Sequence, residues 1–242
     1  MTSISLRDYS HIVVLTGAGV SAPSGLATYR GPNGLWTNAK TSRFSNAENF
    51  THEADAFWAF WGGRRRDATA ATPNAAHTTL AEWETKLATS QRFTLITQNI
   101  DELHKRAGST NAIELHGSLF RTKCSNVKCS MLPYKDSNTY LDKAPLCTIC
   151  GAYLRPDVTF FGEMLPVEAA YKSKQAFRDC SLFIAVGTSG TVSPASSFVD
   201  WAKLARARTI SVNVEKMQPR NFAFDEEIIG PAEEILASHF EM

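Results

Sequence analysis

Directly after the apolar run at residues 12–16 (IVVLT) come Gly17-Ala18-Gly19, then Ser21, Pro23, Ser24 and Gly25. A strand that ends in a glycine turn offers backbone N–H groups to a phosphate, so anion binding is the first chemistry this chain suggests. The spacing Gly17-x-Gly19-x-x-Ala22 meets the loose dinucleotide fingerprint. A hydride-transfer site also needs an acidic residue further on to hold ribose hydroxyls, and residues 34–47 contain no Asp or Glu. The chain runs instead into ATYRGPNGLW, where Tyr29, Arg30 and Trp36 can close over a ligand and supply a cation. These residues fit an anion site outside hydride transfer; they also fit an ordinary glycine-rich βα turn.

The second cluster is sulfur. Cys124 and Cys129 enclose four residues, Cys147 and Cys150 enclose two, and seventeen residues separate the pairs. Two thiolate pairs so spaced can fold back as knuckles and complete a tetrahedral S₄ site suited to zinc. A closed Cys₄ set leaves no open coordination position, so one structural zinc per chain is expected; the alternative is four unrelated free thiols. Cys180, in FRDCSLFIAV, reads as core.

The third set is polar residues where strand-like runs stop. Residues 93–98 lead into Gln98-Asn99-Ile100-Asp101, and residues 112–116 end in His116. Residues 182–188 reach Gly187-Thr188-Ser189, and residues 209–214 contain Asn213. Ligands of open α/β sheets sit past the carboxyl ends of strands, so these termini converge on a site for a large polar ligand. His116 is the obvious general base among them, because imidazole accepts a proton near neutral pH. No Ser or Cys stands in a nucleophile-elbow context.

The elements that must position these groups follow from pattern. Strand-like runs alternate with helical patterns at 101–107, 166–179 and 194–207, which implies an α/β fold with a parallel sheet covered on both faces. Residues 53–70 read as a helix whose shared face carries Phe57, Phe60, Trp61 and Arg64, weakened by Gly62-Gly63. Thr72-Pro73 reads as the start of a further helix, with His77, Leu80, Trp83 or Glu84, and Leu87 on one stripe and His77 as a buried structural histidine. Residues 32–50 are irregular, and from about 118 to 156 the alternation stops, as in an inserted module. A net charge of +1 on 242 residues gives no field to recruit nucleic acid or an anionic membrane. No apolar run reaches the roughly 18 residues of a spanning helix. The N-terminal stretch lacks a signal-peptide pattern, and paired cysteines without one point to a reducing, cytoplasmic setting.

In order along the chain, GAGVSAPSGLATYRGPNGLW, TPNAAHTTLAEWE, TQNIDELHKRAG, ELHGSL, the four cysteines, LRPDVTFFGE, GTSGTVSPA and VNVE resemble the sirtuin family of NAD-dependent protein deacylases. The resemblance runs from Val13 to about Pro231. It implies a Rossmann-like domain made of residues 1–31, 78–117 and 157–242. A helical module (32–77) and a zinc-ribbon module (118–156) would form a smaller part. NAD, consumed as co-substrate, and an acyl-lysine peptide would enter the cleft from opposite sides.

By motif match, Gly17, Ala18, Gly19, Ser21, Tyr29 and Arg30 would hold NAD phosphates or form the mobile cofactor loop. Gln98 would contact the nicotinamide ribose, and Asn99, Ile100 and Asp101 would line the nicotinamide pocket. Gly187, Thr188, Ser189 and Asn213 would hold the phosphate and adenosine half. Val158, Phe161, Gly162 and Glu163 would border the peptide, which adds as a strand. The implied catalytic set is His116, Asn99 and Asp101. The acyl oxygen would attack the ribose anomeric carbon as nicotinamide departs, giving an alkylamidate; His116 would deprotonate a ribose hydroxyl that attacks the amidate carbon, and lysine would be released with 2′-O-acyl-ADP-ribose.

Family members that remove succinyl or malonyl groups carry a Tyr-x-x-Arg pair over the acyl pocket, and AFWGGRRRDA places Trp61 and Arg64 there. An arginine fork suits an acyl carboxylate, and residues three apart on a helix point the same way. The resemblance is therefore to the desuccinylase and demalonylase branch, with acetyl as a second substrate. Trp61 departs from the Tyr, though its indole N–H can donate one hydrogen bond as the phenol would; Tyr29 stands where Phe is usual, and Ser193 where Tyr is frequent. Open alternatives are a deacetylase with Arg64 facing solvent, an NAD hydrolase or ADP-ribosyltransferase, and a silent NAD-binding adaptor.

Overall fold

The strand His11–Thr16 has every side chain buried, and the main sheet is laid out around it. The computed structural model describes residues 3–31, 34–87 and 91–242; Pro32 and Asn33 of the opening loop lie outside them. In chain order the strands are β1 (Ile4–Ser5), β2 (His11–Thr16), β3 (Arg92–Thr97), β4 (Ile113–Glu114), β5 (Gly117–Cys124) and β6 (Tyr134–Lys135). Then come β7 (Leu154–Val158), β8 (Leu182–Val186), β9 (Arg208–Asn213), β10 (Glu226–Ile229) and β11 (Phe240–Glu241). The helices are α1 (Ala39–Ser42), α2 (Ala54–Ala70), α3 (Ala75–Leu87), α4 (Leu103–Arg106), α5 (Val167–Ala176), α6 (Phe198–Leu204) and α7 (Ala232–Ser238).

Six strands form a parallel sheet in the order β10-β9-β8-β2-β3-β4. The chain leaves β2 toward β3 and β4 and later returns on its other side, so strand order reverses at β2. That reversal opens a crevice past the carboxyl ends of the strands. The period of two along β2 feeds two cores. Ile12 and Val14 pack with Leu80 and Trp83 of α3 and Leu236 of α7. Val13 and Leu15 pack with Phe177, Phe198 and Val199 on the opposite face. Each such side chain contributes roughly 1.5–3 kcal/mol on full burial.

Three boundaries differ from the expectation. Helix α3 begins at Ala75, because Asn74 caps it: its Oδ1 accepts the Ala76 N–H at 3.0 Å. Thr72-Pro73 lies just outside. The 112–116 run pairs only as β4, and the chain re-enters a strand at Gly117. Strands persist through the region where alternation stops, since β6-β5-β7 form an antiparallel sheet of their own, too polar to show a clear pattern.

Helix α2 spans the expected residues, but its buried face is rotated. Phe57 and Trp61 are buried as expected; the rest of the face is Ala54, Trp58, Gly62, Arg65 and Ala68, not Phe60 and Arg64. Arg65 is fully buried. Its guanidinium donates to the Leu119 carbonyl at 2.6 Å and Thr122 Oγ1 at 3.1 Å, pairs with Asp136 at 3.3 Å and lies 5.1 Å from the Trp58 ring centre. A buried charge persists only when paired and hydrogen-bonded in this way. It ties α2 to the small sheet, so the RRR run is not simply a solvated face.

Gly62 makes that contact possible: a Cβ there would lie 1.8 Å from the Thr139 carbonyl oxygen, whereas one on Gly63 meets nothing within 4 Å. Gly62→Ala is expected to cost about 1–3 kcal/mol through overpacking. Gly63→Ala should gain up to about 1 kcal/mol from helix propensity. Urea unfolding of the two variants checks the pair of opposite signs; equal shifts would contradict the packing described.

Candidate active site

A cleft of about 1770 Å³ opens past the carboxyl ends of β2, β3, β8 and β9. It brings together Gly17, Ala18, Gly19, Tyr29 and Arg30 with Gln98, Asn99, Ile100 and His116. Gly187, Thr188, Ser189 and Asn213 form its other flank. The turns after β2 and β8 meet backbone to backbone. Gly17 N–H donates to the Val186 carbonyl at 3.0 Å, and Gly19 N–H to the Gly187 carbonyl at 2.9 Å. A Cβ on Gly17 would stand 2.7 Å from the Gly187 oxygen, and one on Gly19 2.8 Å from Gly187 Cα. Among the described residues, no backbone acceptor takes the N–H of Ala18, Thr188 or Ser189, and Arg30 makes no ion pair. Those donors and that cation fit a pyrophosphate. Gln98 Nε2 donates to Thr188 Oγ1 at 3.0 Å and bridges the two flanks.

His116 stands between β4 and β5 with Nδ1 3.0 Å from the Gln98 carbonyl oxygen. A carbonyl can only accept, so Nδ1 carries the proton and Nε2 keeps its lone pair. Burial lowers the pKa of this imidazole, outweighing the Gln98 carbonyl, which raises it. His116 is therefore neutral at pH 7, the form a base requires. The Thr159 N–H donates to the His116 carbonyl at 2.9 Å and fixes the backbone beneath the ring.

Below Asn99 lies a buried polar network. Asn99 Nδ2 donates to the Gly17 carbonyl and to Ser21 Oγ, both at 3.1 Å, and Ser21 Oγ donates to Asp101 Oδ2 at 2.8 Å. Asp101 also accepts the Leu103 N–H at 2.9 Å, yet burial raises its pKa overall. His77, as expected, is buried, with burial pushing its pKa down to about 4. Ser21 and Asp101 do not line the large cleft; they border a smaller cavity beside it, which shares Ala18, Tyr29, Asn99 and Ile100 with the cleft. Tyr29 stacks on Trp36 with ring centres 5.0 Å apart, and burial together with Asp101 raises its pKa.

The acyl-pocket pair divides between the two cavities. Trp61 lines the large cleft, stacked on Phe160, and its indole N–H donates to the Phe44 carbonyl at 2.7 Å. That hydrogen bond removes the free donor expected of it. Arg64 borders the smaller cavity with Tyr29, and its guanidinium pairs with Asp67. Val158, Phe161, Gly162 and Glu163 all line the large cleft. Both Glu163 oxygens are engaged inside the protein, by Arg155 and by the Phe160 N–H at 2.8 Å, so its carboxylate does not face a ligand directly. Burial alone would raise the Glu163 pKa; Arg155 outweighs it and holds the carboxylate below its usual range.

At the far end of β5, the sulfurs of Cys124, Cys129, Cys147 and Cys150 all lie within 4.8 Å of one another. Cys124 and Cys150 are 3.5 Å apart, and Cys129 and Cys147 are 3.7 Å apart. A tetrahedral zinc with Zn–S bonds near 2.3 Å requires sulfurs about 3.8 Å apart, so the set is positioned for it.

The Sir2 family model matches residues 17–194, the stretch that carries the glycine turn, His116 and all four clustered cysteines. The chain belongs to the Sir2 family. It is 41% identical over 233 residues to the NAD-dependent protein deacylase of Escherichia coli O157:H7, covering 95% of this chain and 82% of that one. The Aquifex aeolicus (strain VF5) protein of the same name is 40% identical over 206 residues, 85% of this chain and 84% of its own. Among solved structures, a Sir2 homologue–NAD complex superposes with a TM-score of 0.85 at 34% identity, covering 95% of this chain and 88% of that one. A Sir2 structure with a deacetylated p53 peptide and 3′-O-acetyl ADP ribose gives 0.85 at 31% identity, covering 96% and 93%.

Within this Sir2 fold, residues that sequence reasoning missed close the cleft beyond Asn213: Lys216, Gln218 and Glu233 line it. Lys216 and Gln218 continue the VNVE motif and were open to inspection. Glu233 follows β10, whose sequence EEII has too little alternation to announce a strand. The metal centre yields a test. Metal analysis of the purified chain should return about one zinc per chain, and Cys150→Ser should lose it and lower the unfolding midpoint. A metal-free chain that unfolds at the same point as the metal-bound form would contradict the structural role.

Proposed function

We propose that this chain is an NAD-dependent protein-lysine deacylase. The reading is carried by one observation: His116, its Nδ1 3.0 Å from the Gln98 carbonyl oxygen, lines the same cleft as the glycine turn and Asn99. When bound, NAD would supply the ribose that receives the acyl group and the nicotinamide that leaves, and one water from solvent balances the release of free lysine. Ala18, Thr188 and Ser189 N–H groups with Arg30 hold its pyrophosphate. Asn99, braced by Gly17 and Ser21, and Asp101 behind it form the nicotinamide floor. His116 Nε2 takes the proton of a ribose hydroxyl, and its pairing with Gln98 keeps the ring aimed as the charge develops. The family resemblance and the names of the relatives support the same reaction.

Short neutral acyl groups suit the aromatic wall of Trp61 and Phe160 without rearrangement. Succinyl and malonyl groups form the second reading, favoured by Arg64 at the adjoining cavity; it requires Arg64 to exchange Asp67 for the acyl carboxylate.

Mass spectrometry of products tests the function: deacylated lysine, nicotinamide and 2′-O-acyl-ADP-ribose should form together. His116→Ala should slow the reaction by about 10²–10⁴. Free ADP-ribose with the acyl-lysine intact would contradict the reading in favour of NAD hydrolysis. Because burial lowers the His116 pKa, kcat/KM should be flat near pH 7 and fall with acidification, its inflection below 6.5; an inflection above that value contradicts the assignment. For the acyl group, kcat/KM should be higher on acetyl than on succinyl peptide. A higher succinyl value that drops roughly 10–100-fold in Arg64→Met would establish the second reading instead.

A further inference from the structure

Arg155, on β7, is 6% exposed, and among the described residues its ion pair is with Glu163. Its guanidinium makes two bonds to the Glu163 carboxylate, one of them Nη2 to Oε2 at 2.8 Å, and Nη2 also donates to the Val158 carbonyl at 2.7 Å. The same guanidinium lies 4.0 Å from the centre of the Phe160 ring. Glu163 in turn accepts the Phe160 N–H at 2.8 Å. The stretch from Val158 to Glu163 is thus tied back to β7 by one partly buried ion pair.

The outer edge of that stretch is occupied: Phe161 N–H donates to the Ser45 carbonyl at 2.7 Å, and its carbonyl accepts the Ala47 N–H at 3.2 Å. Gly162 differs. It lines the cleft, and among the described residues its N–H and C=O have no hydrogen-bond partner. An extended chain entering the cleft finds its backbone donor and acceptor there.

We propose that the Arg155–Glu163 pair is the brace that sets the peptide-receiving edge around Gly162, which makes Arg155 a positioning residue for the acyl-lysine polypeptide. The proposal rests on the deacylase reading. A lysine at 155 keeps the charge but loses the fork geometry and the ring contact, so the edge loosens while the NAD side, built on β2, β3, β8 and β9, does not.

Steady-state kinetics on the 242-residue chain test it with two acyl substrates, a peptide with flanking residues and an acyl-lysine amide without them. Arg155→Lys should raise KM for the peptide about tenfold, consistent with loss of a charge-assisted pair, with KM for NAD and turnover of the amide within about twofold. Arg155→Met combined with Glu163→Leu removes both charges, leaves none buried alone, and should show the same rise in peptide KM. Equal losses on peptide and amide, a parallel rise in KM for NAD, or an unchanged peptide KM in both variants would overturn the proposal. A wild-type chain that turns over neither substrate would instead remove the deacylase reading.

Discussion

At the carboxyl edge of the sheet, the turns after β2 and β8 touch through bare backbone. Glycine at 17, 19 and 187 leaves no side chain between them, and any Cβ there would fall within 3 Å of the facing chain. This contact sets the shape of the cleft. It draws the Gly17–Gly19 turn over the end of the neighbouring strand, leaves the Ala18 and Ser189 N–H groups with no backbone acceptor among the described residues, and lets Asn99 reach the Gly17 carbonyl from beyond β3. The polar termini of four strands would otherwise be separate loops. Their convergence follows from parallel strands, reversal of order at β2 and a close approach that only glycine permits.

The small sheet links the two chemical centres. β5 begins one residue after His116 and ends at Cys124, while β7 begins four residues after Cys150 and ends at Val158 in the cleft wall. The two strands pair from Gly117 with Val158 to Cys124 with Leu154. The cysteine cluster therefore anchors the strand that follows His116 and the strand from which the segment bordering the cleft leaves. Helix α2 covers this sheet and is fixed to it by the buried Arg65, whose hydrogen bonds reach the Leu119 carbonyl and Thr122.

Much of this was legible in the sequence, and what was not has physical causes. The glycine turn, the cysteine spacing and the polar strand ends could be read because each rests on residue type at fixed positions. The direction of α2 could not be read in full: Phe57 and Trp61 were placed correctly, but the choice between Arg64 and Arg65 as the inward arginine depends on Asp136, seventy-one residues further along the chain (136 − 65). Helix α3 starts two residues beyond the Thr72-Pro73 signal, since Thr72-Pro73 and Asn74 are both good caps and contact with the Val20 carbonyl favours Asn74. The resemblance places Glu163 at the peptide border, and its partner Arg155 becomes visible only once the chain after β7 folds back onto that strand. Tertiary contacts decide such cases, and local pattern does not hold them.

The deacylase reading requires His116 to be a neutral imidazole with the proton on Nδ1 and the lone pair on Nε2. Long-range ¹H–¹⁵N correlation on the histidine-labelled chain at pH 7, with the His116 signal assigned through His116→Gln, reads this directly. A protonated Nδ1 and an unprotonated Nε2 are predicted. The opposite tautomer, or an imidazolium at that pH, would contradict the account.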